Sequence, residues 1–173
     1  MLAHPDAVVN ALSPEPGMKV ADFGAGSAMH LPALAAAVGP NGRVYIIDVQ
    51  KDLLDRARAR AAEQGIRNAD FVWADLERPR ATNLADGALN RVLASHLLFQ
   101  LDAAPPVFAE AFRVLAPGGK LLVVEWATPP GSIGGKIVSE AEARKLATAA
   151  GFSLPSPVSV GSGQYGFLAE KPR

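Results

Sequence analysis

The sequence predicts an α/β fold: a seven-stranded sheet, parallel except for an antiparallel C-terminal hairpin, with helices on both faces in a three-layer α/β/α arrangement. Three observations lead there. Short apolar runs rich in β-branched residues alternate with longer helical patterns, as expected when helices cross over between parallel strands. Those runs are apolar almost throughout, not only at every second residue, as strands covered on both faces must be. The chain then closes on "PSPVSVGSGQYGFLAEK", which reads as two strands around a Gly-Ser-Gly turn.

Taken in order, "PDAVVNAL" reads as a short helix ahead of the sheet. "MKVADF" is the first strand and ends in a glycine turn; "LPALAAAV" follows as a helix stopped by Gly39-Pro40-Asn41-Gly42. "RVYIID" is the second strand, and "DLLDRARARAAEQG" is a helix with one apolar face, closed by Gly65. "ADFVWAD" and "LNRVLAS" are the third and fourth strands, and "APPVFAEAFRVL" is the next helix. Pro117-Gly118-Gly119 is expected as a tight turn into "KLLVVEW", the fifth strand. "SEAEARKLATAAGF" opens with a capping-box pattern, Ser139 with Glu142 three residues on, and closes at Gly151.

Composition narrows the function. Seventeen basic and seventeen acidic residues leave no net charge, so no global field draws in nucleic acid, and substrates must be recognised locally. The absence of cysteine removes disulfides, thiolate nucleophiles and Cys-ligated zinc together, and no metal site is expected. No apolar run approaches the roughly 20 residues a membrane span needs, and no basic-then-apolar leader is seen, so the expected compartment is the cytoplasm.

Parallel sheets bind ligands at the carboxyl ends of their strands, near the point where strand order reverses. Asp22-Phe23-Gly24-Ala25-Gly26 sits at such an end, where glycines permit a sharp turn and let a ligand approach the backbone. The dinucleotide pattern G-x-G-x-x-G fails, because Met29 holds the third glycine position. Asp48 ends the second strand, where a carboxylate can accept from both ribose hydroxyls, and Asp75 ends the third. Each acid alone could merely cap a helix. Three acids at three successive strand ends converge on one cleft.

Together "VADFGAGSA", "VGPNGRVYIIDVQKDLLDRAR", "NADFVWADLE" and "EAFRVLAPGGKLLVVEW" resemble the successive motifs of class I S-adenosylmethionine-dependent methyltransferases, most closely the type 11 or ubiquinone-biosynthesis-like branch. The resemblance runs from about Pro5 to Trp126 and implies the Rossmann-like methyltransferase sheet with S-adenosyl-L-methionine as cofactor. It implies one domain over 1–173, with a lead-in at 1–17, a cofactor-binding core at 18–126, and a flap, helix and hairpin at 127–173. By position, Asp22 would lie near the methionine amino group, with Gly24, Ala25 and Gly26 under the methionine portion and ribose. Asp48 would hold the ribose hydroxyls and Val49 the adenine face. Asp75 and the backbone of Leu76 would meet the adenine edge, and Ala94 and Ser95 would line the methionine end. Departures are Ala28 where a third small glycine is frequent, and Asn90 where an aspartate is common on the fourth strand. The lid that the family usually carries is minimal here, so the site is open to a large substrate or is closed by a second copy or a partner chain.

Methyl transfer needs an in-line nucleophile and, when the acceptor carries a proton, a base. His96, just past the fourth strand, is the first candidate base, and His30 is the second. Either residue could instead only orient the cofactor or fill a polar niche. "PPGSIGGKI" lacks the first glycine and the hydroxyl residue of a phosphate loop, and reads as a flap or a plain linker. A nicotinamide oxidoreductase is disfavoured because neither Tyr45 nor Tyr165 has a lysine four residues later. A non-catalytic, partner-dependent cofactor-binding subunit stays open as the alternative. The expected substrate is a small molecule, with nucleic acid disfavoured.

Overall fold

The structure, a computed structural model, describes residues 4–127 and 136–173. Helix α1 (Pro5–Leu12) leads into β1 (Lys19–Phe23), α2 (Leu31–Val38), β2 (Arg43–Asp48), α3 (Lys51–Glu63) and β3 (Ala69–Trp73). After a long connection come β4 (Leu89–Ser95), a 3-10 turn (Leu98–Gln100), α4 (Pro105–Val114) and β5 (Leu115–Trp126). Then α5 (Glu140–Ala149), β6 (Ser156–Val158) and β7 (Gln164–Glu170) close the fold. The seven strands lie in the order β3-β2-β1-β4-β5-β7-β6. Strands β1 to β5 pair in parallel, and β7 runs antiparallel to both β5 and β6. The order reverses between β1 and β4, which leaves a crevice at their carboxyl ends.

Strand periodicity divides the apolar residues between two layers. Ala21, Phe23, Val92, Ala94, Val123 and Phe167 meet Val107, Phe108 and Ala111 of α4 and Ala143 and Ala147 of α5. Their neighbours Val20, Ile46, Leu93, Leu122 and Val124 face α1, α2 and α3, through residues such as Leu12, Leu34 and Leu54. Ser139 caps α5 as its sequence foretells, its hydroxyl accepting from the Glu142 amide at 3.2 Å.

Two features differ from the expectation. Pro117-Gly118-Gly119 does not precede the fifth strand but lies inside it as a bulge, where the register with β4 jumps from Leu89–Leu115 to Arg91–Lys120. Gly118 sits at φ +77, and its amide donates to the Lys171 carbonyl at 2.8 Å, so the residues after β7 hold the bulge. Asn90 lies at the start of β4, where its Oδ1 accepts from the Lys19 amide at 2.9 Å. That is the opposite end of the sheet from the crevice, so Asn90 ties β4 to β1 and has no part in the site. Among the described residues no helix is long and apolar enough to cross a membrane. The stretch read as a flap falls mostly outside the described residues.

Candidate cofactor site

The site begins where β1 ends. Asp22, one residue before that end, is only 1% exposed, and its Oδ2 has no hydrogen-bond partner. The chain then turns through Gly24 at φ +65 and Gly26 at φ +53, in the left-handed region that glycine enters without cost. Above Gly24 the gap is filled from β4's side: an added β-carbon there would lie 2.5 Å from Leu97 Cδ1. At Gly26 an added β-carbon would meet nothing within 4 Å, so this part of the turn borders open space.

Asp48, at the end of β2, is fixed by that same turn. Its Oδ2 accepts from the Gly26 amide and its Oδ1 from the Gln50 amide, both at 2.8 Å. A carboxylate offers about four lone-pair sites, so two backbone bonds leave capacity for a pair of hydroxyls. Beside it Val49 is 52% exposed, an uncovered apolar side chain at the cleft mouth. Asp75, past β3, accepts from the Glu77 amide at 3.1 Å and pairs with Arg78 at 3.0 Å. Gly24, Asp48, Val49, Asp75, Leu76 and Leu97 together line a cleft of about 260 Å³. A wider hollow of about 690 Å³, bordered by Gly39, Arg43 and Asn68, opens where β2 starts and lies away from this chemistry.

Ala94 and Ser95 end β4 outside that cleft, on the side where Asp22 and the two histidines gather. His96 adopts φ +52, its amide donates to the Val124 carbonyl at 2.8 Å, and its ring lies 4.5 Å from that of Trp126. Ser95 Oγ is 3.1 Å from His96 Nδ1, while Nε2 is buried without a partner. Burial, and then the positive charge of His30, push His96 down to about 4, so its imidazole is neutral at neutral pH. His30, immediately before α2, is 5% exposed and places Nδ1 3.5 Å from Asp22 Oδ2. Sequence reasoning missed Leu97 and Trp126, whose roles depend on contacts across the crevice. It also missed Glu125, a buried acid in the otherwise apolar "VVEW". Burial raises the Glu125 carboxyl, although it accepts from the Trp126 and Phe99 amides at 2.8 and 3.3 Å.

The residues fit a nucleoside carrying a charged amino-acid tail. Asp48 has acceptor capacity at the glycine turn, Val49 offers an open apolar face, and a buried orphaned oxygen on Asp22 suits an ammonium. Among the described residues, no three His, Asp or Glu side chains converge as a metal site.

Comparison with known proteins agrees with this geometry. Residues 20–119 match the family described as "Methyltransferase domain". The ubiquinone/menaquinone biosynthesis C-methyltransferase UbiE of Shewanella pealeana is 30% identical over 130 residues, which cover 75% of this chain and 51% of that one. The arsenite methyltransferase of Halobacterium salinarum is 28% identical over 108 residues, covering 62% of this chain and 27% of the other. A solved SAM-dependent methyltransferase from Aquifex aeolicus superposes with a TM-score of 0.86 at 26% identity, over 98% of this chain and 90% of that one. The chain thus spans about half the length of the first of these curated relatives and 27% of the second. With the glycine turn, the strand-end acids and the strand order in agreement, the chain belongs to the class I S-adenosylmethionine-dependent methyltransferase family, in its UbiE-like branch.

Proposed function

We propose that this chain transfers a methyl group from S-adenosylmethionine to a small-molecule acceptor. The observation that carries the reading is Asp48, held by the Gly26 and Gln50 amides at the edge of a cleft floored by Gly24. When bound, the cofactor supplies an electrophilic methyl group on a sulfonium.

This chain's residues do the positioning. Asp48 holds the ribose hydroxyls and Val49 covers one face of the adenine. Asp75 and the Leu76 backbone read the adenine edge, while Gly24, Ala25 and Gly26 lie under the ribose and methionine portion. Asp22 holds the amino group, and Ala94 and Ser95 border the methionine end. His96 Nε2, buried and unpartnered, is the atom assigned to the acceptor's proton. A base pushed down to about 4 is weak, so it suits an acceptor that arrives with a lone pair already free better than one that must lose a tightly held proton. The relatives' names point to chemically unlike acceptors, one in ubiquinone/menaquinone biosynthesis and the other arsenite. A neutral chain with 6% aromatics offers nucleic acid no global field and few stacking platforms.

Calorimetry with S-adenosylhomocysteine and with NAD tests the cofactor. The first binds, the second does not, and Asp48→Ala weakens the first at least tenfold. If neither S-adenosylhomocysteine nor S-adenosylmethionine binds below millimolar, the reading is wrong. Turnover of a panel of small acceptors by the isolated chain tests the enzyme. Binding without any turnover would favour the cofactor-binding subunit instead.

A further inference from the structure

One contact in the site has no role in the scheme above. Asp22 and His30 are 1% and 5% exposed, and Nδ1 of the histidine lies 3.5 Å from the carboxylate oxygen that lacks a hydrogen bond. His30 stands at the N-cap of α2, yet its side chain makes no capping bond. The imidazole therefore does not serve the helix and faces the acid that the cofactor's amino group needs.

We propose that His30 and the cofactor's ammonium compete for the Asp22 carboxylate, so that cofactor binding drives a proton off His30. The inference rests on the cofactor reading given above. Near pH 6, where an ordinary imidazole is partly protonated, the imidazolium pairs with the carboxylate in the free protein. The arriving ammonium takes that carboxylate, and two cations beside one acid in a buried site are unfavourable. The Nδ1–H bond of His30 breaks, its electron pair stays on the ring nitrogen, and the proton passes to solvent. The product is a neutral imidazole beside an Asp22–ammonium pair, so charge balances.

The other groups around His30 do not supply an alternative partner. His96, just past the end of β4, is itself kept neutral, chiefly by burial. Helix α2 carries no charged residue, and α1 brings only Asp6, which is exposed. Arg60 of α3 approaches the same turn but donates to the Ser27 carbonyl at 3.2 Å.

The test is calorimetry of S-adenosylhomocysteine, which carries the same amino group, near pH 6 in two buffers of different ionisation enthalpy. The wild-type chain is expected to release up to one proton per ligand, and its affinity to rise as much as tenfold per pH unit on the acid side of the imidazole range. His30→Gln has no proton to lose there, so its heats agree in the two buffers and its affinity is flat over the same range. Imidazole NMR of the wild-type chain gives a second readout, independent of whether that variant folds: the ring that loses its proton on ligand addition is His30. Binding with equal heats in both buffers, or proton release from another histidine, overturns the inference and leaves the cofactor reading standing. No binding in either buffer overturns the cofactor reading itself.

Discussion

At Gly26 the backbone holds φ +53, and a β-carbon added there would touch nothing within 4 Å of the free protein. Gly26→Ala should therefore cost only the left-handed strain, about 1–2 kcal/mol, while under the proposed reading its methyl group would intrude on the ribose. Thermal melts should show a modest loss, and calorimetry at least a tenfold loss of S-adenosylhomocysteine affinity; unchanged affinity would remove Gly26 from the cofactor site. Gly24→Ala should lose more stability, because its β-carbon also displaces Leu97. His96 offers a pH test. Its folded value, about 4, lies below the ordinary 6.5, so the unfolded chain takes up a proton first as pH falls. Stability from this residue is present above about 6.5 and drains away down to about 4. Glu125, raised by burial, acts in the opposite sense, losing stability as pH rises through its folded value. Comparison with a variant isolates the histidine. Asparagine tolerates φ +52, so in urea melts between those two pH values His96→Asn should show a shallower acid loss than wild type. Equal slopes would mean that His96 titrates normally.

The long connection between β3 and β4 contains no strand or helix, and it is held to α4 by one polar network. Glu110, 2% exposed, accepts from the Thr82 amide at 2.9 Å, the Thr82 hydroxyl at 2.6 Å and Arg113 at 2.7 Å. Arg113 also donates to the Leu84 carbonyl at 2.8 Å and to Asp86 at 2.6 Å. Burial alone would raise the Glu110 carboxyl, but the bonds from Arg113 and Thr82 win and hold it below its ordinary range. Removing the acid as Glu110→Ala leaves the Thr82 amide unpaired and Arg113 with Asp86 as its remaining carboxylate partner, a loss of about 2–3 kcal/mol. Urea denaturation should show that loss, with S-adenosylhomocysteine affinity little changed once the chain is folded; a loss under 1 kcal/mol would mean that water replaces the network. This clamp was hidden in the sequence, because Thr82 and Glu110 meet only after the sheet has formed. The helices were far more legible. The bounds of α1 coincide with "PDAVVNAL", and Ser139 announces α5, because proline starts and capping residues act within one turn of chain. The bulge in β5 was not legible, since its partner Lys171 lies some fifty residues away and nothing local marks the pairing.

Across the whole molecule, the placing of the site followed from where acids fall relative to strand ends. Asp22 lies one residue before the end of β1, Asp48 ends β2 and Asp75 lies two residues past β3, and parallel strands bring such ends to one edge. What could not be read were His30 against Asp22, set by how the glycine turn folds back, and the contacts across the crevice, Leu97 over Gly24 and Trp126 beside His96, whose distances depend on sheet order. The same dependence makes the C-terminal hairpin part of the fold rather than an appendage. Strand β7 pairs with β5 from Lys120–Glu170 to Trp126–Gln164 and buries Tyr165, Phe167 and Ala169. Just beyond it, Lys171 Nζ donates to the Phe112 and Leu115 carbonyls, both at 2.7 Å, at the junction of α4 and β5. A chain ending at residue 153 would leave β5, apolar on both faces, as an unprotected edge, which is a template for aggregation. Deleting residues 1–13 should be milder, because α1 contributes mainly Val8, Val9 and Leu12 to one face, about 1.5–3 kcal/mol each before the cost of ordering the helix. Circular dichroism and gel filtration should find the first truncation aggregated, without a cooperative melt. The second should remain monodisperse with a lowered Tm. If the chain lacking the hairpin still melts cooperatively, the five parallel strands form a self-sufficient sheet and β7 is only a cover.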